Sequence, residues 1–512
     1  TPYFLFCDRH RNPVTGGAPT YDATRYPYAC CELGAGIQIT YHHRPVVPAA
    51  CVEAMAVVAL GSGANLLGYY MFHGGSQHMN RRGYTNEYSV PRISYDFQAP
   101  VREFGQLNQS YHALKLIHLF LHAFGEQLAP LPVELPEGSA ESPHDIDTPR
   151  IAARTANGRG FLFLTNYQDH VEMREHDCVT IRIDTGNEQI VLPRQNGLKL
   201  LREVSAILPL NLMLGVFRLV YGTAQPLTIL NTARSRTWVF FAVPGMPAEY
   251  AFSRNMLREV EAPGARMEAD EDRVYVTVSP GTTALLTLTA LDGSVVSLLT
   301  LTRAQALHCG LVSLDGQARL VLSDATVIED DAGLRLTSRD EEKGFIDLAI
   351  YPAPAYGLET AEGCLEESED GIFTRYSIPL PRTRVEVQIT PLPDRQFLIR
   401  IPGGIPPGAE DVFLRIRYDG DIGEAYIGGM LVNDNFCNGE PWEIGLKRFA
   451  EHLAEHDLLL KIVPRQARGD SAKYEATGMA ARLTDAAGGI GTIHTAEAVV
   501  EYRITAWPRR AV

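Results

Sequence analysis

The pattern of apolar and polar positions divides the chain into an α/β part and a longer β-rich part. Residues 28–31 and 65–72 are short apolar runs of the kind found in buried parallel strands. Between them, residues 49–60 are mostly apolar, Pro48 suits the first turn of a helix, and Gly61 suits its end. These features predict one strand–helix–strand unit.

A second helix is predicted after this unit. Side chains recur about once per turn on one face at Leu107, Tyr111, Leu114, His118 and Leu121. We expect Gly125 and Pro130 to close this helix. Residues 129–147 are rich in Pro, Glu and Ser and lack periodicity, which indicates a linker.

After the linker the apolar period changes to two, which is typical of strands. Strands are expected at residues 160–164, 179–183, 237–241, 274–278, 385–389 and 413–418. In the last segment, the side chains on one face are Val500, Tyr502, Ile504 and Ala506. Only residues 442–455 are predicted to be briefly helical. The pattern therefore predicts a partial α/β unit followed by two or three β-sandwiches.

Length and charge limit the class of protein. A chain of 512 residues is expected to form three or more domains. The net charge of −15 argues against nucleic acid or an anionic membrane as a partner, since both favour basic surfaces. No apolar run reaches the roughly 18 residues of a membrane helix.

The eight cysteines are scattered, and no pair has CxxC spacing. Several lie inside apolar runs, which suits buried free thiols in a reducing compartment. This favours a cytoplasmic location.

Three residues are candidates for chemistry. Glu32 ends an apolar strand and precedes Gly34 and Gly36. In a βα-barrel the C-terminal strand ends build the active site, where a carboxylate is desolvated enough to act as nucleophile or acid. The alternative is a structural Glu that caps a helix or pairs with Arg. Tyr70 and Tyr95 offer a ring face and a hydroxyl to a sugar, and the alternative for both is core packing.

Other catalytic motifs are absent from the sequence. His118 and His122 are one helical turn apart, but the segment between them lacks the Glu of HExxH, so we interpret both as structural. The sequence contains no Walker motif, no GxSxG elbow and no convincing dinucleotide-binding fingerprint.

Three ordered motifs resemble glycoside hydrolase family 35, the retaining β-galactosidases. The first is the strand that ends at Glu32. The other two are Tyr69-Tyr70-Met71-Phe72-His73-Gly74-Gly75, and Ser94-Tyr95-Asp96-Phe97-Gln98-Ala99-Pro100 leading to Glu103-Phe104-Gly105. Arg44-Pro45 also looks like an Arg-Pro of the family, whereas Gln98 replaces a common Asp.

The resemblance implies a fold and a reaction. Glu32 would be the nucleophile on strand seven of a (β/α)8 TIM barrel, and Tyr70 and Tyr95 would line the galactose subsite. No metal or organic cofactor is expected. The expected domains are the C-terminal part of the barrel (1–130), a linker (131–148), β-sandwich domains (149–310) and a galactose-binding-like jelly roll (311–512).

One part of the family's machinery is not found. A retaining glycosidase needs a second carboxylate about 5 Å from the nucleophile, and the family carries it in an Asn-Glu on strand four. Residues 86–88 imitate that motif but follow strand eight, so we interpret them as coincidence. The acid/base half of the barrel is expected to lie outside this chain, and three sources stay open: a second polypeptide, a piece removed by processing, or sequence not included in these 512 residues. The alternatives are a non-catalytic carbohydrate-binding or structural subunit, and an exo-β-glucosaminidase on the same fold.

Overall fold

The computed structural model describes residues 2–10, 20–41, 43–80, 83–84, 89–232, 236–339, 343–361, 363, 365–465 and 491–509. The imitation motif at residues 86–88 and Cys364 lie outside these ranges. Within them, no helix is long and apolar enough to cross a membrane.

A parallel strand pair and its connecting helix form the first unit. β1 (Tyr28–Gly34) pairs with β2 (Ala64–Tyr70), and α1 (Ala49–Gly61) lies between them in sequence. This confirms the predicted strand–helix–strand unit. Side chains on one face of the pair pack into a core with α1, but Leu66 is 53% exposed. Parallel strands usually have both faces covered, so our expectation of fully buried strands was wrong for this pair.

α1 is apolar around its circumference because it has neighbours on more than one side. It packs on β1 and β2 and also on the large β-sheet of the next domain, in a core that includes Val57, Phe161 and Phe163. Glu53 is buried within this helix. The Arg303 guanidinium donates a hydrogen bond to the Glu53 carboxylate at a distance of 2.5 Å. The ion pair explains how an apolar run tolerates a carboxylate.

Two short ladders follow. Their strands are β3 (Gly75–Ser76), β4 (Met79–Asn80), β5 (Gly83–Tyr84) and β6 (Ser94–Tyr95). β3 pairs with β6 and β4 with β5, both antiparallel. The β3–β6 ladder brings the segment after β2 against the segment that contains Tyr95.

α2 (Gln109–Leu128) confirms the second predicted helix. The Asn108 side chain accepts a hydrogen bond from the Gln109 amide and so caps its start. Phe120 and Phe124 stack on each other and meet the edge of Phe161 in the β domain. We expected Gly125 to close the helix, but it lies inside, since this packing outweighs the low helix propensity of one glycine.

The middle part is built from two large sheets. Its strands are β7 (Val133–Glu134), β8 (Arg150–Ala156), β9 (Arg159–Thr165), β10 (His176–Val179), β11 (Ile181–Asp184), β12 (Gln189–Leu192), β13 (Leu198–Leu200), β14 (Ser205–Leu214), β15 (Phe217–Gly222), β16 (Ala224–Asn231), β17 (Arg236–Ala242), β18 (Ala248–Ser253), β19 (Leu257–Glu261), β20 (Arg266–Ala269), β21 (Arg273–Val278), β22 (Leu286–Ala290) and β23 (Val295–Leu301). The first sheet has the order β20-β21-β18-β15-β14-β9-β8-β7, and the second β16-β17-β23-β22-β19. Two short hairpin-like pairs, β10–β13 and β11–β12, lie beside them.

A third part follows the short helix α3 (Arg303–Leu307). Its elements are β24 (Cys309–Leu314), β25 (Gln317–Ser323), β26 (Thr326–Asp330), β27 (Gly333–Ser338), β28 (Phe345–Tyr351), β29 (Leu358–Thr360), β30 (Glu366–Asp370), β31 (Phe373–Pro379), β32 (Gln388–Leu392), β33 (Gln396–Arg400), β34 (Ala409–Asp419), β35 (Ile422–Ile427), β36 (Met430–Phe436), β37 (Trp442–Gly445), α4 (Ala450–Glu455), β38 (Leu458–Val463) and β39 (Thr492–Pro508). Three sheets with the orders β24-β25-β28-β31-β30, β26-β27-β39-β34-β37 and β32-β33-β38-β35-β36 share one core. The molecule is thus a multidomain, β-rich protein.

The β-strand predictions hold with three local corrections. The predicted strand at 179–183 is broken at Thr180 into β10 and β11, and the one at 385–389 begins only at Gln388. Residues 442–445 form a strand, and the α-helix begins at Ala450. In β39, the four side chains predicted to share a face are all buried, which confirms the period-two pattern.

The described cysteines differ in their exposure. Cys309 and Cys437 are buried as expected, whereas Cys31 and Cys178 are exposed. The expectation of burial was wrong for these two, because their strands lie at open surfaces.

Candidate active site

Glu32 lies near the C-terminal end of β1. The register between β1 and β2 shifts between Cys30 and Leu33, so Glu32 falls in an irregular stretch of the ladder. Opposite this stretch, a Cβ on Gly68 would lie 2.6 Å from the Cys31 carbonyl oxygen, so glycine is needed there. Glu32 is exposed. The desolvation that we expected for this carboxylate is therefore not provided by the described residues.

The structure brings Tyr70 and Tyr95 together. Their hydroxyl oxygens are 3.0 Å apart, within hydrogen-bond distance. Phe97 contacts both rings, with centroid distances of 5.4 Å to each. Tyr70 is the last residue of β2 and pairs with Gly34 of β1. The two tyrosines predicted separately thus form one cluster at the C-terminal end of the parallel pair that carries Glu32.

Two glycines allow the loops after β1 and β2 to meet the Tyr95 segment. A Cβ on Gly36 would lie 2.4 Å from the Phe97 carbonyl oxygen, and one on Gly74 would lie 2.5 Å from that of Asp96. Real side chains do not tolerate such distances. These loops can therefore approach the turn at residues 96–98 only because both positions are glycine.

The turn itself has an unusual backbone. Phe97 and Gln98 have φ values of 60° and 49°, in the left-handed region that is uncommon for residues other than glycine. The Asp96 carboxylate supports the turn by accepting hydrogen bonds from the Gln98 and Glu103 amides and from Arg102. A conformation of this kind persists where the surrounding contacts determine it.

Gln98, which departs from the family's common Asp, is a buried structural side chain. Its amide nitrogen donates to the carbonyl oxygens of Ile37 and Pro45 at 3.2 and 3.1 Å. Its amide oxygen accepts from the Val47 amide at 3.2 Å. A carboxylate could not donate to those carbonyls. The glutamine therefore links the loop after β1 to the Tyr95 segment.

The third part of the chain also holds the Tyr95 segment. The Asp434 carboxylate accepts hydrogen bonds from the backbone amides of Arg92, Ile93 and Ser94 at 2.6, 2.9 and 3.0 Å. Sequence reasoning missed this residue. It lies about 340 residues away, and no local pattern marks it.

The histidines that we considered as metal ligands do not converge. The Tyr69 hydroxyl and His118 Nε2 are 2.9 Å apart, whereas His122 is exposed. Burial lowers the pKa of His118, which favours its neutral form. Among the described residues, no group of three or more His, Cys, Asp or Glu could hold a metal ion.

Comparison with known protein families adds two matches. Residues 14–121 match the model of glycosyl hydrolases family 35, and residues 138–308 match that of β-galactosidase domain 2. Together the two matches support a β-galactosidase-family protein of glycosyl hydrolase family 35. A search of curated proteins finds no match.

The two matches confirm the family inferred from the three motifs. The family 35 match includes Glu32, Tyr70 and Tyr95, and the second match covers nearly all of the middle β part. The two matches support a glycosidase role, with carbohydrate as the substrate class.

Proposed function

We propose that this chain carries the nucleophile side of a retaining β-galactosidase that removes terminal β-galactose. Glu32 is the nucleophile, and Tyr70 and Tyr95 contact the galactose. One observation carries the proposal: the two tyrosine hydroxyls lie 3.0 Å apart at the same end of the parallel strand pair that holds Glu32. In βα-barrels that end of the strands is where substrate binds.

We assign β1 and β2 to strands seven and eight of a TIM barrel. The parallel pairing, the helix between the strands and the open face that includes Leu66 support this assignment. Residues 1–130 would form this part of the barrel, 149–310 the β-sandwich and 311–512 the jelly roll. Residues 131–148 connect the first two, although β7 within them joins the large sheet.

The chemistry follows from the family's retaining mechanism. Glu32 attacks the anomeric carbon, the aglycone leaves, and a galactosyl ester forms. Water then attacks the ester and releases galactose. Protonation of the leaving oxygen and activation of the water need a second carboxyl group. The sequence contains no glutamate before Glu32, so we propose that the acid/base comes from outside these 512 residues.

The test is covalent labelling with 2,4-dinitrophenyl 2-deoxy-2-fluoro-β-galactoside. Its leaving group needs no protonation, so labelling tests the nucleophile without the acid/base. Peptide mass spectrometry should place the label on Glu32, and Glu32→Gln should abolish labelling without changing the fold. Nitrophenyl β-galactoside, which tests turnover, should not be hydrolysed at enzyme rates by the 512-residue chain alone.

Other outcomes separate the alternatives. Labelling of Glu103 would mean that we assigned the wrong carboxylate. Preference for a β-glucosaminide that carries the same 2,4-dinitrophenyl leaving group would favour an exo-β-glucosaminidase. Sugar binding without labelling, even in the presence of the missing half, would indicate a non-catalytic subunit.

A further inference from the structure

Glu103 is a buried carboxyl group surrounded by side-chain donors. It is 6% exposed. The Ser94 hydroxyl donates to its Oε2 at 2.7 Å, and the Ser76 hydroxyl and the Asn433 amide donate to its Oε1, the latter at 3.0 Å. We call Ser76, Ser94, Glu103 and Asn433 the Glu103 cluster. Neither the nucleophile nor the galactose contacts proposed above use this cluster.

The two serines of the Glu103 cluster are partners across one ladder. Ser76 of β3 pairs directly with Ser94 of β6, and the adjacent pair is Gly75 with Tyr95. Successive side chains of a strand point to opposite faces. Ser94 is directed to Glu103, and Tyr95 is directed away from it to the Tyr70 hydroxyl. One carboxyl group thus holds both strands immediately beside Tyr95.

We infer that Glu103 is a positioning residue that orients Tyr95 through the Ser76–Ser94 pair. The inference rests on the proposed role of Tyr95 as a galactose contact. Glu103 does not contact the galactose. It acts only through the ladder between β3 and β6. Its carboxylate accepts a hydrogen bond from each of two strands that are only two residues long, and so fixes their register.

The third part of the chain determines how Asn433 meets Glu103. The Trp442 indole N–H donates to Asn433 Oδ1 at 2.7 Å, so the Asn433 amide nitrogen faces the carboxylate. Arg448 donates to the Ser76 hydroxyl at 2.8 Å and lies over the Phe104 ring. The orientation of Tyr95 therefore depends on a domain far away in sequence.

The charge state of Glu103 changes the hydrogen bonds of the cluster and the cost of burying it. A carboxylate accepts all three hydrogen bonds but is costly to bury, whereas a protonated carboxyl donates one hydrogen bond, which a serine hydroxyl can turn to accept. The pKa of Glu103 is raised to about 7, because burial and the Asp96 carboxylate raise it by more than the hydrogen bonds from Ser76, Ser94 and Asn433 lower it. The charged groups that surround the same site are Asp96, Arg102, Asp434, Glu440, Glu443 and Arg448.

Hydrogen exchange followed by mass spectrometry on the 512-residue chain tests this inference. In the native chain, exchange of peptides covering residues 74–77 and 92–99, corrected for the intrinsic pH effect, should become faster as pH rises toward about 7, because the folded cluster binds the Glu103 proton more tightly than the opened one. Glu103→Gln and Ser94→Ala should make exchange there about fivefold to tenfold faster at pH 8, which corresponds to one lost hydrogen bond. Glu103→Gln, which removes the titrating carboxyl, should also lose the pH step.

Two variants serve as matched controls. Ser110 is a buried serine whose hydroxyl has no hydrogen-bond partner among the described residues, so Ser110→Ala should leave both peptides and the pH step unchanged. Glu53→Gln removes another buried carboxylate and tests for general loosening. Unchanged exchange in Glu103→Gln and Ser94→Ala would overturn the inference, and so would a pattern equal to that of Glu53→Gln. The readout needs no hydrolysis, so failure of the proposed function is detected separately by the labelling experiment.

Discussion

At the scale of single residues, the site depends on buried polar side chains whose partners are backbone groups. Gln98 joins three backbone positions of the loop after β1 to the Tyr95 segment. The sequence identified Gln98 only as a departure from the family pattern. Its role could not be predicted, because the carbonyl groups that it binds lie about 50 to 60 residues earlier in the chain.

Gln98→Asp should destabilise the protein even though it restores the residue common in the family. The aspartate cannot donate to the Ile37 and Pro45 carbonyls, and it would place a charge where the present side chain is 9% exposed. We expect a loss of about 2–4 kcal/mol in the free energy of unfolding, measured by urea denaturation. Gln109→Asp, at the exposed start of α2, is the control and should be neutral or slightly stabilising. Equal effects of the two changes would contradict this role for Gln98.

Glu103 should make stability fall as pH rises. Folding raises its pKa to about 7 from the ordinary value of 4.5, so the folded state binds this proton more tightly than the unfolded state. Its contribution to stability is therefore greatest below about pH 4.5 and is lost as pH approaches 7, by about 3 kcal/mol in total. Glu103→Gln should remove this part of the pH dependence. Urea midpoints at pH 5 and pH 8, followed by tryptophan fluorescence, check this, and parallel shifts of both proteins would refute it.

At the scale of elements, the sequence predicted those whose pattern is set by local burial. α1 follows from one apolar run, and β39 follows from strict alternation at residues 500–506. The irregular register of β10 between His176 and Val179 was missed because it involves a contact outside the strand. Cys178 has a φ of 60°, and Gly197 packs so closely on it that a Cβ there would lie 2.3 Å from the Cys178 carbonyl carbon. Nothing local to Cys178 indicates that conformation.

Gly36→Ala should displace the turn that carries Phe97. The new methyl group would lie 2.4 Å from a backbone oxygen, so the loop or the turn must move. We expect a loss of about 1–3 kcal/mol of stability and weaker labelling of Glu32 by the fluorinated galactoside. Gly75→Ala is the matched control, since its Cβ would meet nothing within 4 Å. Normal labelling and stability in Gly36→Ala would show that the close approach is not needed.

At the scale of the whole molecule, a buried arginine joins the N-terminal part, which contains the strand–helix–strand unit, to the last β domain. Arg44 is fully buried and donates to the Asp421 carboxylate at 2.8 Å and to the Asp421 and Cys437 carbonyl oxygens. It also stacks over the Phe436 ring. Arg44 and Asp421 are 377 residues apart. The motif at Arg44-Pro45 was visible in the sequence, but its partner was not, since no pattern along a chain pairs such distant positions.

Limited digestion with a glutamate-specific protease should cut the chain without separating the pieces. Glu137 and Glu141 are exposed in the connecting segment between β7 and β8, so cleavage is expected there first. The N-terminal fragment should remain bound, because α1 and α2 share a core with Phe161 and Phe163 of the middle part and Arg44 binds the last part. Gel filtration should therefore show one species, which separates into two only on a denaturing gel.

Arg44→Leu tests how strongly the last β domain holds the N-terminal fragment in the nicked protein. The change leaves the Asp421 carboxylate buried without its cation, and the loss of one partner of a buried ion pair typically costs about 3–5 kcal/mol. The nicked variant should release its N-terminal fragment at a lower urea concentration than the nicked native protein. Arg417→Leu, at an exposed position on β34, is the matched control and should behave like the native protein. If nicked Arg44→Leu stays intact to the same urea concentration, the helices α1 and α2 alone hold the fragment, and the last domain supports the candidate site only through Asp434 and the Glu103 cluster.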